Sequence, residues 1–167
     1  DGSSEASKAF RKGIATILSV YREVAIDSYY GDAASVIDYA ITNTSWAAPK
    51  QSDPGYTTAF STDVKGKPIY TSDMKSEDKF TAAKKAALGY FQKAGCTISN
   101  NKITKAPAGT PRKIEVMIGG GGSGDHPAFG ILTDSKKALA ELGIELIIND
   151  MADTTPMFEK IQKGQAE

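Results

Sequence analysis

Five of the six residues from 119 to 124 are glycine, and Gly119, Gly121 and Gly124 stand at the spacing G-x-G-x-x-G. Glycines so placed let backbone approach a phosphate, and the first N–H groups of a following helix are free to bind it. The context suits that chemistry. A β-rich stretch, Lys113 to Ile118, precedes the run, a helix opened by Pro127 follows it, and Asp150 ends the next strand. A dinucleotide site places its ribose-binding carboxylate in that way. Against a nucleotide stand Asp125, whose charge falls at the positive end of the helix, and the scarcity of further βα units. A poly-Gly run also satisfies the pattern trivially. Two readings compete with the nucleotide. One is a side-chain-free rim at Gly119, Gly120, Gly121 and Gly122, along which a ligand backbone lies closely. The other is a flexible strand-to-helix turn with no ligand.

The remaining reactive side chains are sparse. His126, the sole histidine, opens the helix after the glycines; it has no neighbour to complete a metal site or a catalytic pair. It is read either as a ligand contact or as a helix cap. Cys96 follows Gly95 and precedes Thr97-Ile98, the setting of a small semi-buried hydrophobe. Asp150 and Asp153 flank Met151-Ala152, and Asp153 to Thr155 reads as helix capping. Asn43-Thr44-Ser45 matches a glycosylation sequon, which matters only in a secreted protein. These residues predict no catalytic centre, no metal site and no bound cofactor.

The elements that position them follow from periodicity. A polar start, Asp1 to Glu5, suits a helix cap. Phe10, Ile14, Ile17, Tyr21 and Val24 then recur at three or four residues and predict an amphipathic helix to about Glu23. Gly13 inside it costs roughly 1 kcal/mol against Ala, which points to close packing. A second short helix is expected over Ala33–Ile41. Residues 42–75 are punctuated by Pro49, Pro54, Gly55, Gly66 and Pro68 and read as a long loop. Its aromatics, Trp46, Tyr56, Phe60 and Tyr70, predict that it packs on the domain. Ser76 is expected to cap a helix with Phe80, Ala83, Ala87, Phe91 and Ala94 on one face, ended by Gly95. Asn100-Asn101 makes a turn before a short strand, Lys102–Lys105. Strand 113–118, a helix from Pro127 to Leu142 stopped by Gly143, strand 144–148 and a last helix from Pro156 to near Gly164 form a βαβ unit with parallel strands and a right-handed crossover. The fold class is α/β.

Composition narrows the function. The 167 residues fit one domain. Twenty basic residues balance 20 acidic ones, so the chain lacks the basic excess of a nucleic-acid binder. One cysteine allows no internal disulfide. No apolar run approaches the ~18 residues of a membrane span. No signal peptide or lipid-attachment cysteine stands at the start, which suggests either a cytosolic chain or an excised piece of a longer one.

Taken in order, the motifs resemble the peptide-binding (oligopeptide/dipeptide) family of extracytoplasmic solute-binding proteins of ABC transporters. Ala9-Phe10-Arg11-Lys12-Gly13-Ile14-Ala15 is similar to the helix that opens the second lobe in that family. Arg22 and Gly31-Asp32-Ala33 fall where it has a basic residue and a G-x-A turn. Thr44-Ser45-Trp46-Ala47-Ala48-Pro49 stands at its Pro-rich loop. Lys79 to Gly95 resembles Y-x-x-x-x-A-x-x-x-L-x-x-A-G. Ala140 to Leu146 resembles L-x-x-L-G-I-x-V, and Phe158 to Gly164 resembles F-x-x-x-L-x-x-G. The sequence departs from the pattern in a longer loop, with Asp63 to Tyr70 inserted, and in its five glycines.

The resemblance implies part of one lobe of a periplasmic-binding-protein type II fold: a βαβ unit with flanking helices and a long loop, residues 1–167 being a single-domain fragment of a two-lobed receptor. It implies binding without chemistry, so no enzyme. The ligand is a peptide shared with the missing lobe and delivered to a membrane permease. The expected contacts are Gly119, Gly120, Gly121, Gly122, His126 and Trp46. The expected chain is a monomer, membrane-anchored in its full-length form at the extracellular or periplasmic face.

Overall fold

The computed structural model describes residues 2–50 and 52–165, with the side chains of Glu23, Val24 and Asp27 left aside. Its elements are α1 (Glu5–Tyr30), a 3-10 turn (Gly31–Ala33), α2 (Ser76–Lys93), β1 (Thr97–Ser99), β2 (Lys102–Lys105), β3 (Lys113–Ile118), α3 (Pro127–Glu141), β4 (Glu145–Asp150) and α4 (Thr155–Gln162). Helices and two small sheets make an α/β chain.

The first helix is the centre of the packing, flanked by α2 and α3. Ser4 caps it, its hydroxyl accepting from Ser7 N–H at 3.1 Å; Asp1, the first residue of the expected polar cap, lies outside the described residues. The apolar stripe buries Phe10, Ile17 and Val20 and half-buries Ile14 and Tyr21; Val24, also expected on it, falls among the side chains not described. The rings of Phe10 and Phe91 meet with centroids 5.3 Å apart, and Tyr21 stacks on Phe80 at 4.6 Å. The helix runs seven residues past the expected end at Glu23. Its last turns are held from outside: a Cβ at Gly130 of α3 would touch the Tyr29 ring at 3.6 Å and Ala25 at 4.0 Å. An apolar stripe cannot signal such a contact between helices.

Two other expectations are corrected. No helix forms over Ala33–Ile41: the 3-10 turn gives way to irregular chain. Ile37, Tyr39 and Ile41, spaced by two, stay partly exposed, with the Tyr39 ring against that of Tyr56 at 5.6 Å, while Asp38 is drawn to Arg22 at 3.0 Å and accepts from the Tyr56 hydroxyl at 3.3 Å. A tertiary ion pair displaces local helix propensity. Ser76 is the first residue of α2 rather than its cap; Lys75 takes the cap position and makes no side-chain capping bond.

The long loop packs in part. Residues 61–69 fold back as a tight turn, with Ile69 N–H donating to Ser61 O at 2.9 Å and Asp63 N–H to Lys67 O at 2.8 Å. The Tyr90 hydroxyl on α2 fastens this turn, lying 3.1 Å from Thr62 O and 3.0 Å from Asp63 O. Tyr70 packs against the core and Tyr56 is half-buried. Trp46 and Phe60 do not follow them; Trp46 is 95% exposed.

Both α2 and α3 end in paired bonds that turn the chain sharply. Cys96 N–H donates to Phe91 O and Gly95 N–H to Gln92 O; Ile144 N–H donates to Leu139 O and Gly143 N–H to Ala140 O. This is the Schellman pattern, which needs a left-handed residue, and Gly143 sits at φ +93°. Asn100 and Asn101, both left-handed, turn β1 into antiparallel β2, as a two-residue hairpin requires. The strand β1 had no signal beyond Thr97-Ile98.

The strands β3 and β4 pair in parallel, Lys113 opposite Glu145 through Ile118 opposite Asp150. Ile114, Val116, Ile118, Leu146 and Ile148 face the core. On the other face Lys113 pairs with Glu145 at 3.4 Å, and Asn149 Nδ2 donates to Glu115 at 2.9 Å. In parallel register both strands end together, so the β3–α3 and β4–α4 connections emerge side by side.

Candidate functional site

These two connections form the site. The five glycines follow β3 at once, and opposite the last residue of β3 lies Asp150. Its carboxylate turns into the Gly loop: Gly124 N–H donates to Oδ2 at 2.9 Å. Oδ1 is fully enclosed and has no partner in hydrogen-bonding geometry. The amides of Gly122 and Gly120 approach the carboxylate more loosely. The Gly124 amide, with those two adding to it, holds the Asp150 carboxyl below the usual aspartate range despite the cost of desolvation.

The contact is close enough to dictate residue type. A Cβ at Gly120 would lie 2.6 Å from Asp150 Oδ1, and one at Gly119 would lie 2.7 Å from Thr154 Cγ2. At Gly122 it would touch Ala152, at 3.4 Å from its Cβ and 3.6 Å from its N. The glycines therefore let one loop lie directly on the other. Gly121 differs: nothing stands within 4 Å of its Cβ position, so it faces outward. Ser123 and Asp125 finish the loop, Asp125 N–H donating to Ser123 Oγ at 3.2 Å.

His126 caps α3. Its Nδ1 accepts from Ala128 N–H at 3.1 Å, and Pro127 fills the first helical position, where no N–H is needed. In the next connection Asp153, at the position before the cap, accepts from Thr155 N–H through Oδ1 at 2.9 Å, while Thr154 takes the cap position of α4 and makes no side-chain capping bond. Cys96 is buried and burial pushes its thiol upward, away from the reactive thiolate.

Of the residues expected to meet a ligand, Gly119, Gly120, Gly121, Gly122 and His126 come together with Asp150. Trp46 does not join them: no hydrogen bond or ring contact links it to the glycines or the histidine. Its ring stands in solvent in a segment fastened by Lys50, whose Nζ donates to Asn43 O at 3.0 Å and Ser45 O at 3.2 Å. Sequence reasoning gave Asp150 no part in a binding rim. The available signal was its place at the end of the strand parallel to the one that feeds the glycines.

Among the described residues, no cluster of three His, Cys, Asp or Glu side chains is arranged to hold a metal ion, and no helix is long and apolar enough to cross a membrane. Compared with protein-family models, curated proteins and solved structures, the chain matches no family, no curated protein and no structure.

Proposed function

We propose that the chain is part of a ligand-binding lobe of a solute receptor that captures peptides and hands them to an ABC transporter permease, acting by binding alone. One observation carries the reading. The Gly loop, placed at the carboxyl end of a parallel strand pair where α/β folds bind ligands, has its inward amides directed at the chain's own carboxylate, Asp150. A nucleotide pocket would need those amides for a phosphate and would not place a carboxylate among them. A rim needs only a bare backbone edge, which Gly121 offers.

Two further features agree. The β3–β4 pair has one free edge on each strand among the described residues, whereas parallel sheets are normally wide and covered on both faces. This supports a type II binding-protein lobe completed by further strands. The indole of Trp46, exposed in water, suits a ligand or a second lobe closing from outside. In this reading the peptide lies between two lobes, and this chain supplies one wall of the cleft.

The competing reading is a nucleotide-binding domain of an enzyme or regulator. Native mass spectrometry of the purified protein, with calorimetric titrations of NAD and ATP, separates the two. The receptor reading predicts no heat from either nucleotide at millimolar concentration. Micromolar binding of NAD or ATP would replace it with the nucleotide reading.

A further inference from the structure

The Gly124 amide donates to Asp150 Oδ2 at 2.9 Å, and the amides of Gly120 and Gly122 approach the same carboxylate more loosely; backbone amides gathered about one point are the concave nest that binds anions in many phosphate loops. In those loops the anion comes from a ligand. Here the side chain at the end of the neighbouring strand fills the position. We infer that Asp150 is a resident anion: its carboxylate occupies the nest, sets the shape of the Gly119–Gly124 loop, and closes the loop to phosphate and carboxylate groups of any ligand.

The geometry leaves no room for a second anion. Oδ2 is at bonding distance from Gly124 N, and Oδ1 lies where even a methyl group on Gly120 would overlap it. Gly122 rests on the backbone of the β4–α4 connection, 3.7 Å from its Cβ position to Asp150 O. A ligand group entering the nest must displace the carboxylate, and an anion must also overcome its charge at short range. The surroundings scarcely offset that charge. Opposite Asp150 on β3 is the apolar Ile118. The loop adds Asp125, another negative charge, and the β4–α4 connection adds Asp153, already engaged with Thr155 N–H. His126 at the head of α3 is engaged with the Ala128 amide through Nδ1. The ligand therefore meets the outer edge of the loop, which suits neutral amide or cationic groups and rejects anionic ones. Asp150 is a positioning residue, acting through the loop. This holds for a receptor or for any other use of the rim.

The test is an amide NMR titration of the 167-residue chain. In the wild type the Gly124 amide proton should move upfield as the solution is acidified, with a midpoint below that of an ordinary aspartate. Asp150→Asn should abolish that titration. In Asp150→Ala the amides of Gly120, Gly122 and Gly124 should shift or broaden, and millimolar formate or inorganic phosphate should restore them while leaving the wild-type loop unmoved. A Gly124 amide that does not titrate in the folded wild type would overturn the inference. So would wild-type loop amides that respond to phosphate as strongly as those of Asp150→Ala. Should Asp150→Ala fail to fold, the wild-type titration and Asp150→Asn decide alone.

Discussion

The backbone of Gly13 lies against the ring of Phe91: a Cβ on Gly13 would stand 2.5 Å from Phe91 Cε1 and 2.9 Å from Cδ1. Phe91 is fully buried between α1 and the rest of the core, so its ring has nowhere to retreat. Helix propensity alone favours Gly13→Ala by roughly 1 kcal/mol, but overpacking a core costs about 1–3 kcal/mol. The expected outcome is a net loss of up to about 2 kcal/mol in chemical denaturation. Pairing it with Phe91→Leu should recover part of that loss relative to Phe91→Leu alone; a stabilised Gly13→Ala would mean that the helices are further apart than described.

Gly143→Ala should be worse. The residue holds φ +93°, and its Cβ would meet the backbone of β2, 2.8 Å from Ile103 O and 3.2 Å from Ile103 N. Backbone cannot rotate away as a side-chain tip can. Left-handed strain of about 1–2 kcal/mol adds to that overlap, for an expected loss of about 2–4 kcal/mol. An unchanged melting temperature would sink the Schellman cap.

Tyr90→Phe removes the hydroxyl that fastens Thr62 O and Asp63 O to α2. Each such bond is worth about 0.5–1.5 kcal/mol net. Global stability should fall by about 1 kcal/mol. The local effect should be larger, with tryptic cleavage after Lys65 accelerating well before the rest of the chain is cut. Equal cleavage rates in both proteins would mean that the turn is held by something else.

Acid should destabilise the fold through identifiable groups. Backbone amides hold the carboxyls of Asp150, Asp63 and Asp153 below their ordinary range, and the Thr71 hydroxyl does the same for Asp73. A carboxyl depressed in the folded state adds stability that is complete above its unfolded value, about pH 4, and is lost as pH falls through the lower folded value. The melting temperature should therefore be flat from neutral pH to about pH 5 and decline below about pH 4. Asp150→Asn should lower the plateau and shallow the decline. A decline as steep in Asp150→Asn as in the wild type would remove Asp150 from this set.

How much of this was legible in the sequence depended on the range of the forces involved. The helix bearing Phe80, Ala87 and Phe91, the glycines at 95 and 143 and the strand Lys113–Ile118 are set by periodicity and backbone freedom within a few residues, and the structure places them as the pattern predicts. Long-range terms decided the rest. Asp38 leaves any helix to reach Arg22, 16 positions away. Tyr90 orders a turn 27 positions earlier that reads as plain loop. In the site, the glycine run and His126 stood out at once, yet the group that organises them is Asp150, 26 positions from Gly124. Parallel register joins them, and no local window contains both. Trp46 drew notice by its size and by its place in the Thr44–Pro49 stretch, and its exposure shows that an aromatic in a loop need not pack on its own domain.

In the proposed reading, the outer edge of the Gly loop is one wall of a peptide cleft. One wall buries little of a ligand, and solvent-exposed hydrogen bonds are worth about 0.5–1.5 kcal/mol each, so affinity for the isolated chain should be no tighter than about millimolar. The most direct measurement is an amide NMR titration of the 167-residue chain with a mixed pool of short peptides, and separately with ATP and NAD. The account predicts weak, fast-exchange shifts from the peptides that centre on Gly119 to Gly122 and His126, and none from either nucleotide. Shifts at those residues from ATP or NAD, or peptide shifts confined to other parts of the chain, would contradict it.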